Sequence, residues 1–354
     1  MAIRVAHWGV GSTGRTGLQG VIGHPQLELV GLCVQRPENV GRDAGDLCDR
    51  PPTGVTATSS ADEILALKPD CLSYFGSGAA DAELGVANVA RFLEAGVNVV
   101  TTSFTNLVHP KHGVEALCAR LEAACRKGGT SFFATGVEPG YMSDIVPRAL
   151  LSGVDRIDEI RVMEIGNWGR YPVEWAQREV FGFGKPMDHT PIMFQGERLI
   201  FSWGGVVRGM ADMLGVELDE VRQWHEFGAT SRDVDTAFGL VEAGTIGALR
   251  FAVEGMYGGK PICAIEHVNY VTDEMPEHWP RAKHKTHTVY RTVITGRPTT
   301  ECEVAFGYVD GEEHAVIATA IRAVNGIPAV VAAAPGLLSP HEVPANSSGH
   351  VRAR

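Results

Sequence analysis

The chain has 354 residues, of which 44% are hydrophobic and 21% charged, an ordinary composition for a globular protein with two connected domains. Its formal net charge of -11 argues against a nucleic-acid-binding surface. No run of 18 apolar residues occurs, and the N-terminus begins directly with a strand pattern, so we expect no membrane span and no signal peptide. The seven cysteines are scattered without a CxxC pair, which predicts reduced thiols, a cytoplasmic location and no metal site.

The first part of the chain alternates short apolar runs with helical patterns. Strands are predicted at 3–8, 27–34, 71–75, 98–102 and 131–134. Helices are predicted at 14–22, 61–67, 80–96 and 114–127. This alternation predicts an α/β fold, with a Rossmann-type domain at 1–144 whose parallel sheet has helices on both faces.

The pattern changes after about residue 145. Strands are predicted at 158–165, 245–254, 263–271, 286–296 and 301–306, with few helices between them. We therefore expect a second α+β domain at 145–312, with a mostly antiparallel sheet, for substrate binding and dimerisation. The segment 313–338, helical at 313–331, is expected to pack back on the first domain, and 339–354 is a polar tail.

A glycine-rich turn lies between the first strand and the first helix. Gly9, Gly11 and Gly14 have the spacing of a dinucleotide-binding turn. In such turns the first glycine permits a tight bend, the second lets the backbone approach a pyrophosphate, and the third packs the helix on the strand. The helix start, with Ser12 and Thr13, offers free amides to the phosphates, so the sequence predicts a nicotinamide dinucleotide site.

The end of the second predicted strand bears on the choice of cofactor. NAD-binding domains usually carry an acidic residue there, whereas this chain has Arg36 and no carboxylate before Glu38. A guanidinium suits a 2′-phosphate, and Arg15 in the first turn of the helix adds positive charge. We therefore predict NADP, with NAD as the alternative and a solvated loop position as the other interpretation of Arg36.

Several stretches together resemble a known family. The run 40–45 resembles the dihydrodipicolinate reductase-like N-terminal domain, but the basic substrate motif of true dihydrodipicolinate reductases is absent, so that activity is not expected. The more specific resemblance is to the 2,4-diaminopentanoate dehydrogenase and native amine dehydrogenase family, and it is carried in order by 98–103, 134–140, 181–186, 325–328 and 334–336. It implies a homodimer that interconverts a ketone plus ammonia with a primary amine, using NAD(P)H in a cleft between the domains.

The resemblance also implies catalytic positions. Relatives carry a glutamate shortly after the Thr-Thr strand, where it handles ammonia and proton transfer, but this chain has Asn106 there. An amide cannot accept a proton at working pH, so Glu138 becomes the candidate acid or base, with a solvent-facing turn carboxylate as the alternative. Tyr171, in a loop that resembles the substrate-pocket loop of relatives, completes the candidate catalytic set.

Further candidates follow from strand ends and from the same loop. Gly76, Thr101 and Thr102 leave predicted parallel strands and are expected to border the nicotinamide and its ribose, unless they serve only the turns. The expected substrate-pocket residues are Glu164, Asn167 and Trp168, with a solvent-facing strand position or interdomain or dimer packing as the alternatives. His267 is expected at a solvated strand end.

These features predict an enzyme that transfers a hydride to a C=O or C=N carbon of a small ketone, imine or amine substrate. Amine dehydrogenase activity is the first hypothesis. The alternative is a carbonyl or imine reductase without ammonia capture, because of Asn106. A non-catalytic NADP-binding regulatory protein is the third.

Overall fold

The computed structural model describes residues 2–76, 78, 82–284, 288–309 and 312–351, and it contains two compact units. Unit 1 comprises Met1–Tyr141 and Ala315–Arg354, and unit 2 comprises Met142–His314. The helices are α1 Ser12–Gly23, α2 Ala61–Ala66, α3 Ala82–Glu94, α4 Glu115–Gly128, α5 Val146–Leu151, α6 Arg198–Leu214 and α7 His314–Ala332. The strands are β1 Ile3–Trp8, β2 Leu27–Cys33, β3 Ala57–Thr58, β4 Cys71–Tyr74, β5 Asn98–Thr101, β6 Ser131–Ala134, β7 Arg156–Asn167, β8 Glu220–Ala229, β9 Val234–Thr236, β10 Gly239–Val241, β11 Ile246–Tyr257, β12 Lys260–Tyr270, β13 Thr288–Arg297, β14 Thr300–Phe306, β15 Tyr308–Val309, β16 Glu312–Glu313 and β17 Gly336–Leu338.

Unit 1 is built on a seven-stranded parallel sheet in the order β17-β6-β5-β4-β1-β2-β3. Its central strands β4 and β6 are short and buried at every position, as expected of strands covered on both faces. The Rossmann-type prediction is therefore confirmed. The predicted helix at 80–96 corresponds to α3, and its residues 80 and 81 lie outside the described residues.

The helix α7 packs in the core of unit 1. By length and composition it could span a membrane, with 19 residues and a mean hydropathy of 1.7. Val324, Ile327 and Val330 are fully buried and belong to one apolar cluster with Val5 and Phe133 of the sheet. The helix therefore packs one apolar face on the sheet, and 44% of its most apolar 18-residue window is buried.

Unit 2 contains a six-stranded sheet in the order β14-β13-β7-β12-β11-β8. The β7–β12 pair is parallel and the other pairs are antiparallel, which confirms the mostly antiparallel prediction. Residues 286 and 287 of the predicted strand at 286–296 lie outside the described residues. The elements β8 and α6 were not predicted, and α6 packs on one face of this sheet through contacts with β8, β11 and β12.

Ion pairs satisfy the buried charges on the opposite face of the same sheet. Glu266 is 1% exposed and accepts hydrogen bonds from Arg161 at 2.6 Å and Arg250 at 2.7 Å. Arg161 also donates to Glu254 at 2.9 Å. A buried carboxylate is costly unless it is paired and hydrogen-bonded, and these arginines meet that requirement.

Candidate active site

The glycine turn of unit 1 has the geometry of a phosphate cradle. A Cβ at Gly9, whose φ is +99°, would lie 2.5 Å from the carbonyl oxygen of Phe75, and a Cβ at Gly14 would lie 2.4 Å from that of Gly9. Nothing lies within 4 Å of the Cβ position at Gly11. Gly11 is also the N-cap of α1 and provides no side-chain cap. Packing therefore requires glycine at positions 9 and 14. Gly11 instead leaves open space at the start of a helix, which fits a pyrophosphate.

A buried histidine supports this turn. The Nε2 atom of His7 lies 2.8 Å from the carbonyl oxygen of Gly9, and the ring stacks on Phe75 with centroids 5.3 Å apart. Burial lowers the pKa of His7 to about 4, so the ring is neutral at working pH. Because a carbonyl oxygen only accepts, Nε2 carries the proton and donates it. His7 was not predicted as a site residue, because in the sequence it is one more residue of the first strand.

The strand ends that were expected near the nicotinamide are joined by hydrogen bonds. Ser103 donates from its hydroxyl to the carbonyl oxygen of Gly76 at 3.0 Å, and its amide donates to the hydroxyl of Thr101 at 3.0 Å. Thr101 is fully buried, whereas Thr102 is partly exposed. These contacts hold the ends of β4 and β5 together at the carboxyl edge of the sheet, where ligands of such folds bind.

The two arginines predicted for the 2′-phosphate differ in their surroundings. Arg36 is exposed and precedes a short 3₁₀ turn at Pro37–Asn39. Arg15 forms an ion pair with Asp49, a residue of the loop that follows β2. The side chain of Arg15 therefore contacts the loop after β2, as its predicted role requires. There, however, it is already paired with the carboxylate of Asp49.

The predicted catalytic residues of unit 1 lie in two separate loops. Asn106 lies in a 3₁₀ turn, Thr105–Leu107, and is partly buried. Glu138 is also partly buried and has extended backbone at the start of the segment Val137–Ile145. Both residues follow carboxyl ends of the parallel sheet, after β5 and β6 respectively.

A second carboxylate lies in unit 2, on the central strand β7. Glu164 is 8% exposed, and its Oε1 atom accepts hydrogen bonds from Trp168 Nε1 at 3.1 Å and Asn269 Nδ2 at 3.0 Å. The register pairs Glu164 with His267 of β12, and His267 Nδ1 lies 3.9 Å from the same oxygen. Two donors thus orient the carboxylate, and Asn269 is a further candidate site residue that was not predicted from the sequence.

The prediction that His267 lies at a solvated strand end is wrong. The residue is 3% exposed, and its ring stacks on Phe251 with centroids 4.6 Å apart and an interplanar angle of 6°. The ring of Trp203, on α6, packs against the His267 ring with centroids 4.9 Å apart. The packing of α6, which was not predicted, buries this face, so His267 and Glu164 lie on the helix-covered side of the sheet.

The remaining residues of the predicted substrate pocket have mixed surroundings. Trp168 packs edge-on against Phe181 with centroids 4.6 Å apart, in addition to its bond to Glu164. The side-chain oxygen of Asn167 accepts a hydrogen bond from the amide of Gly169 at 2.8 Å, which is a turn contact. Tyr171 is 40% exposed. Of these residues, Trp168 is the one that directly contacts the carboxylate of Glu164.

Comparison with known proteins decides the family. The 2,4-diaminopentanoate dehydrogenase C-terminal domain matches residues 203–353. An amine dehydrogenase from Streptomyces virginiae is 36% identical over 344 residues, which are 95% of each chain. The chain belongs to the amine dehydrogenase family.

Solved structures agree on the fold. The structure of an amine dehydrogenase from Mycobacterium smegmatis matches with a TM-score of 0.78 at 21% identity, covering 100% of this chain and 98% of that one. A biliverdin reductase from Synechocystis, in complex with biliverdin and NADP+, matches with a TM-score of 0.52 at 13% identity, covering 96% and 94%. At these identities the likeness concerns the fold.

Membership of the amine dehydrogenase family makes this chain an NAD(P)-dependent oxidoreductase. Its residues fit such a cofactor, because Gly11 leaves the cradle open at the start of α1. The candidate site residues thus form two groups: the glycine turn in unit 1, and an oriented carboxylate in unit 2. Glu164 was predicted from its strand, whereas Asn269 and His267 become site residues only through strand pairing.

Proposed function

We propose that this protein catalyses the reductive amination of a ketone with ammonia, using NADPH. The observation that carries the proposal is the buried, oriented carboxylate of Glu164. A carboxylate attracts an ammonium or iminium cation, whereas the amide of Asn106 carries no charge. Glu164 would thus perform in unit 2 the task that relatives assign to a glutamate at the position of Asn106.

The hydrogen bonds to Glu164 suit this task. Trp168 and Asn269 occupy one oxygen, Oε1, and hold the carboxylate plane in place. A fixed carboxylate with a second oxygen can accept a proton from nitrogen without first reorganising. The bound cofactor supplies the hydride. The side chains of Trp168 and Phe181 add apolar surface, which favours a ketone with an alkyl or aryl substituent.

The choice of NADP over NAD belongs to the same proposal. Arg36 is exposed at the end of β2, where the adenosine ribose lies in Rossmann-type domains. A guanidinium there binds a 2′-phosphate through two hydrogen bonds. The homodimer and the cytoplasmic location are also parts of the proposal, and a solution mass of twice 38.0 kDa is the expected result for the dimer.

The test measures NADPH oxidation across a panel of ketones with and without ammonium. We expect oxidation that requires ammonium, and a kcat/KM for amination that falls about 100-fold in Glu164→Gln, the scale of a lost acid or base. Asp158→Asn, an exposed carboxylate on the same strand, serves as the control and should retain activity. Glu138→Gln is measured in parallel.

Two results would contradict the proposal in different ways. Loss of activity in Glu138→Gln with full activity in Glu164→Gln would assign the carboxylate role to Glu138. Ketone reduction that is independent of ammonium would support the alternative, a carbonyl reductase, which the amide at Asn106 favours.

A further inference from the structure

The loop between β2 and β3 has a fixed shape. The carboxylate of Asp43 accepts hydrogen bonds from the amides of Gly45 at 2.7 Å, Thr53 at 2.9 Å and Gly54 at 2.8 Å. These bonds lower the pKa of Asp43. They also close the part of the loop from 43 to 54, because they join Asp43 to residues ten and eleven positions later.

The middle of this loop is attached to α1, the helix that follows the glycine turn. Cys48 is fully buried in a cluster that includes Leu18 of α1. The side chain of Gln19, also on α1, donates to the carbonyl oxygen of Cys48 at 2.8 Å. The residue after Cys48 is therefore held beside the middle of α1.

That residue is Asp49, and its conformation is unusual. Its φ is +53°, in the left-handed region that aspartate and asparagine adopt more readily than most residues other than glycine. Its carboxylate forms the ion pair with Arg15, in the first turn of α1. The side chains remain 71% and 46% exposed, so an exposed ion pair of this kind contributes little stability by itself. Because this ion pair contributes little stability, its place in the loop after β2 points to a role in function.

We propose that Asp49 is a specificity residue that restrains binding of NADP relative to NAD. Arg36 lies in the segment after β2, where the adenosine ribose lies in such domains, and Arg15 is joined to the same segment through its ion pair with Asp49. The carboxylate of Asp49 neutralises Arg15 and repels a 2′-phosphate, whereas NAD has no phosphate at that position. This inference rests on the cofactor part of the proposed function, and it makes the cofactor preference a balance between Arg36 and the Arg15–Asp49 pair.

The test compares the Kd values of NADPH and NADH, titrated by intrinsic fluorescence, in wild type and Asp49→Asn. Loss of one negative charge near the phosphate should tighten NADPH binding about fivefold and change NADH binding by less than about twofold. This effect of Asp49→Asn on NADPH binding relative to NADH binding should be smaller at about 1 M salt, where the Debye length is short. Asp49→Gly, which suits a positive φ, should shift the ratio in the same direction.

Asp62→Asn is the matched control, because Asp62 also forms an exposed ion pair with an arginine of unit 1, Arg91. It should leave both Kd values unchanged. Equal changes for NADPH and NADH in both Asp49 variants, or no change, would overturn the inference. A wild type that prefers NADH would contradict the proposed NADP preference, yet the change in the ratio would still decide the role of Asp49. Ammonia-dependent turnover does not enter this readout.

Discussion

Gly11 and Gly14 belong to the same turn but differ in what surrounds them. The Cβ position of Gly14 lies 2.4 Å from a backbone oxygen, whereas that of Gly11 has nothing within 4 Å. Packing therefore requires glycine at position 14, while the open space at position 11 is meaningful only if a ligand fills it. Substitution with alanine separates these two requirements.

We expect Gly11→Ala to fold with an unchanged unfolding midpoint and to lose cofactor affinity by more than about tenfold, because the added methyl occupies the pyrophosphate position. Gly14→Ala should lose cofactor binding and also about 1–3 kcal/mol of stability, the usual cost of overpacking. Thermal unfolding together with NADPH titration distinguishes the two variants. Unchanged NADPH affinity in Gly11→Ala would contradict the cradle assignment.

The element formed by β1, the turn and α1 depends on the neutral ring of His7. Its pKa of about 4 in the folded protein is below the usual 6.5, so the unfolded chain takes up a proton first as the pH falls. The neutral ring therefore contributes fully to the free energy of unfolding above pH 6.5. This contribution is lost as the pH falls through the folded pKa, by about 3 kcal/mol in total. Lowering the pH from 6.5 towards 4 should therefore destabilise this element.

The variant His7→Gln tests this dependence, because glutamine keeps an N–H donor but does not titrate in this range. Its unfolding free energy should fall less than that of the wild type between pH 6.5 and 4.5. The measurement is urea unfolding at a series of pH values. Parallel curves for the two proteins would show that His7 does not titrate with folding.

Elements whose signal is local could be predicted from the sequence, and those that depend on distant partners could not. The turn after β1 was predicted because the spacing of its three glycines is itself the sequence pattern of such a turn. The strands β11 and β12 were found near their predicted bounds because their apolar runs are distinct. The burial of His267 depends on Trp203 of α6, 64 positions earlier in the sequence, so no pattern around His267 indicates it.

At the scale of the whole chain, unit 1 is completed by residues from the far end of the sequence. Val343 is 1% exposed and belongs to the same apolar cluster as Val324 of α7. Arg322, 7% exposed, donates to the carbonyl oxygens of Val343 at 3.1 Å and Pro344 at 3.3 Å. The polar composition of 339–354 indicated a simple tail, but the chain as far as Pro344 packs on α7.

Truncation tests the contribution of this segment. A chain ending at Leu338 should lose about 3 kcal/mol of stability, because it loses one buried valine and two hydrogen bonds from a nearly buried arginine. A chain ending at Asn346 retains these contacts and should unfold at the wild-type midpoint. Thermal unfolding measures both. Equal midpoints for the two truncated chains would show that the contacts of Val343 and Arg322 add nothing. A lower midpoint only for the shorter chain would show that the C-terminal residues stabilise unit 1.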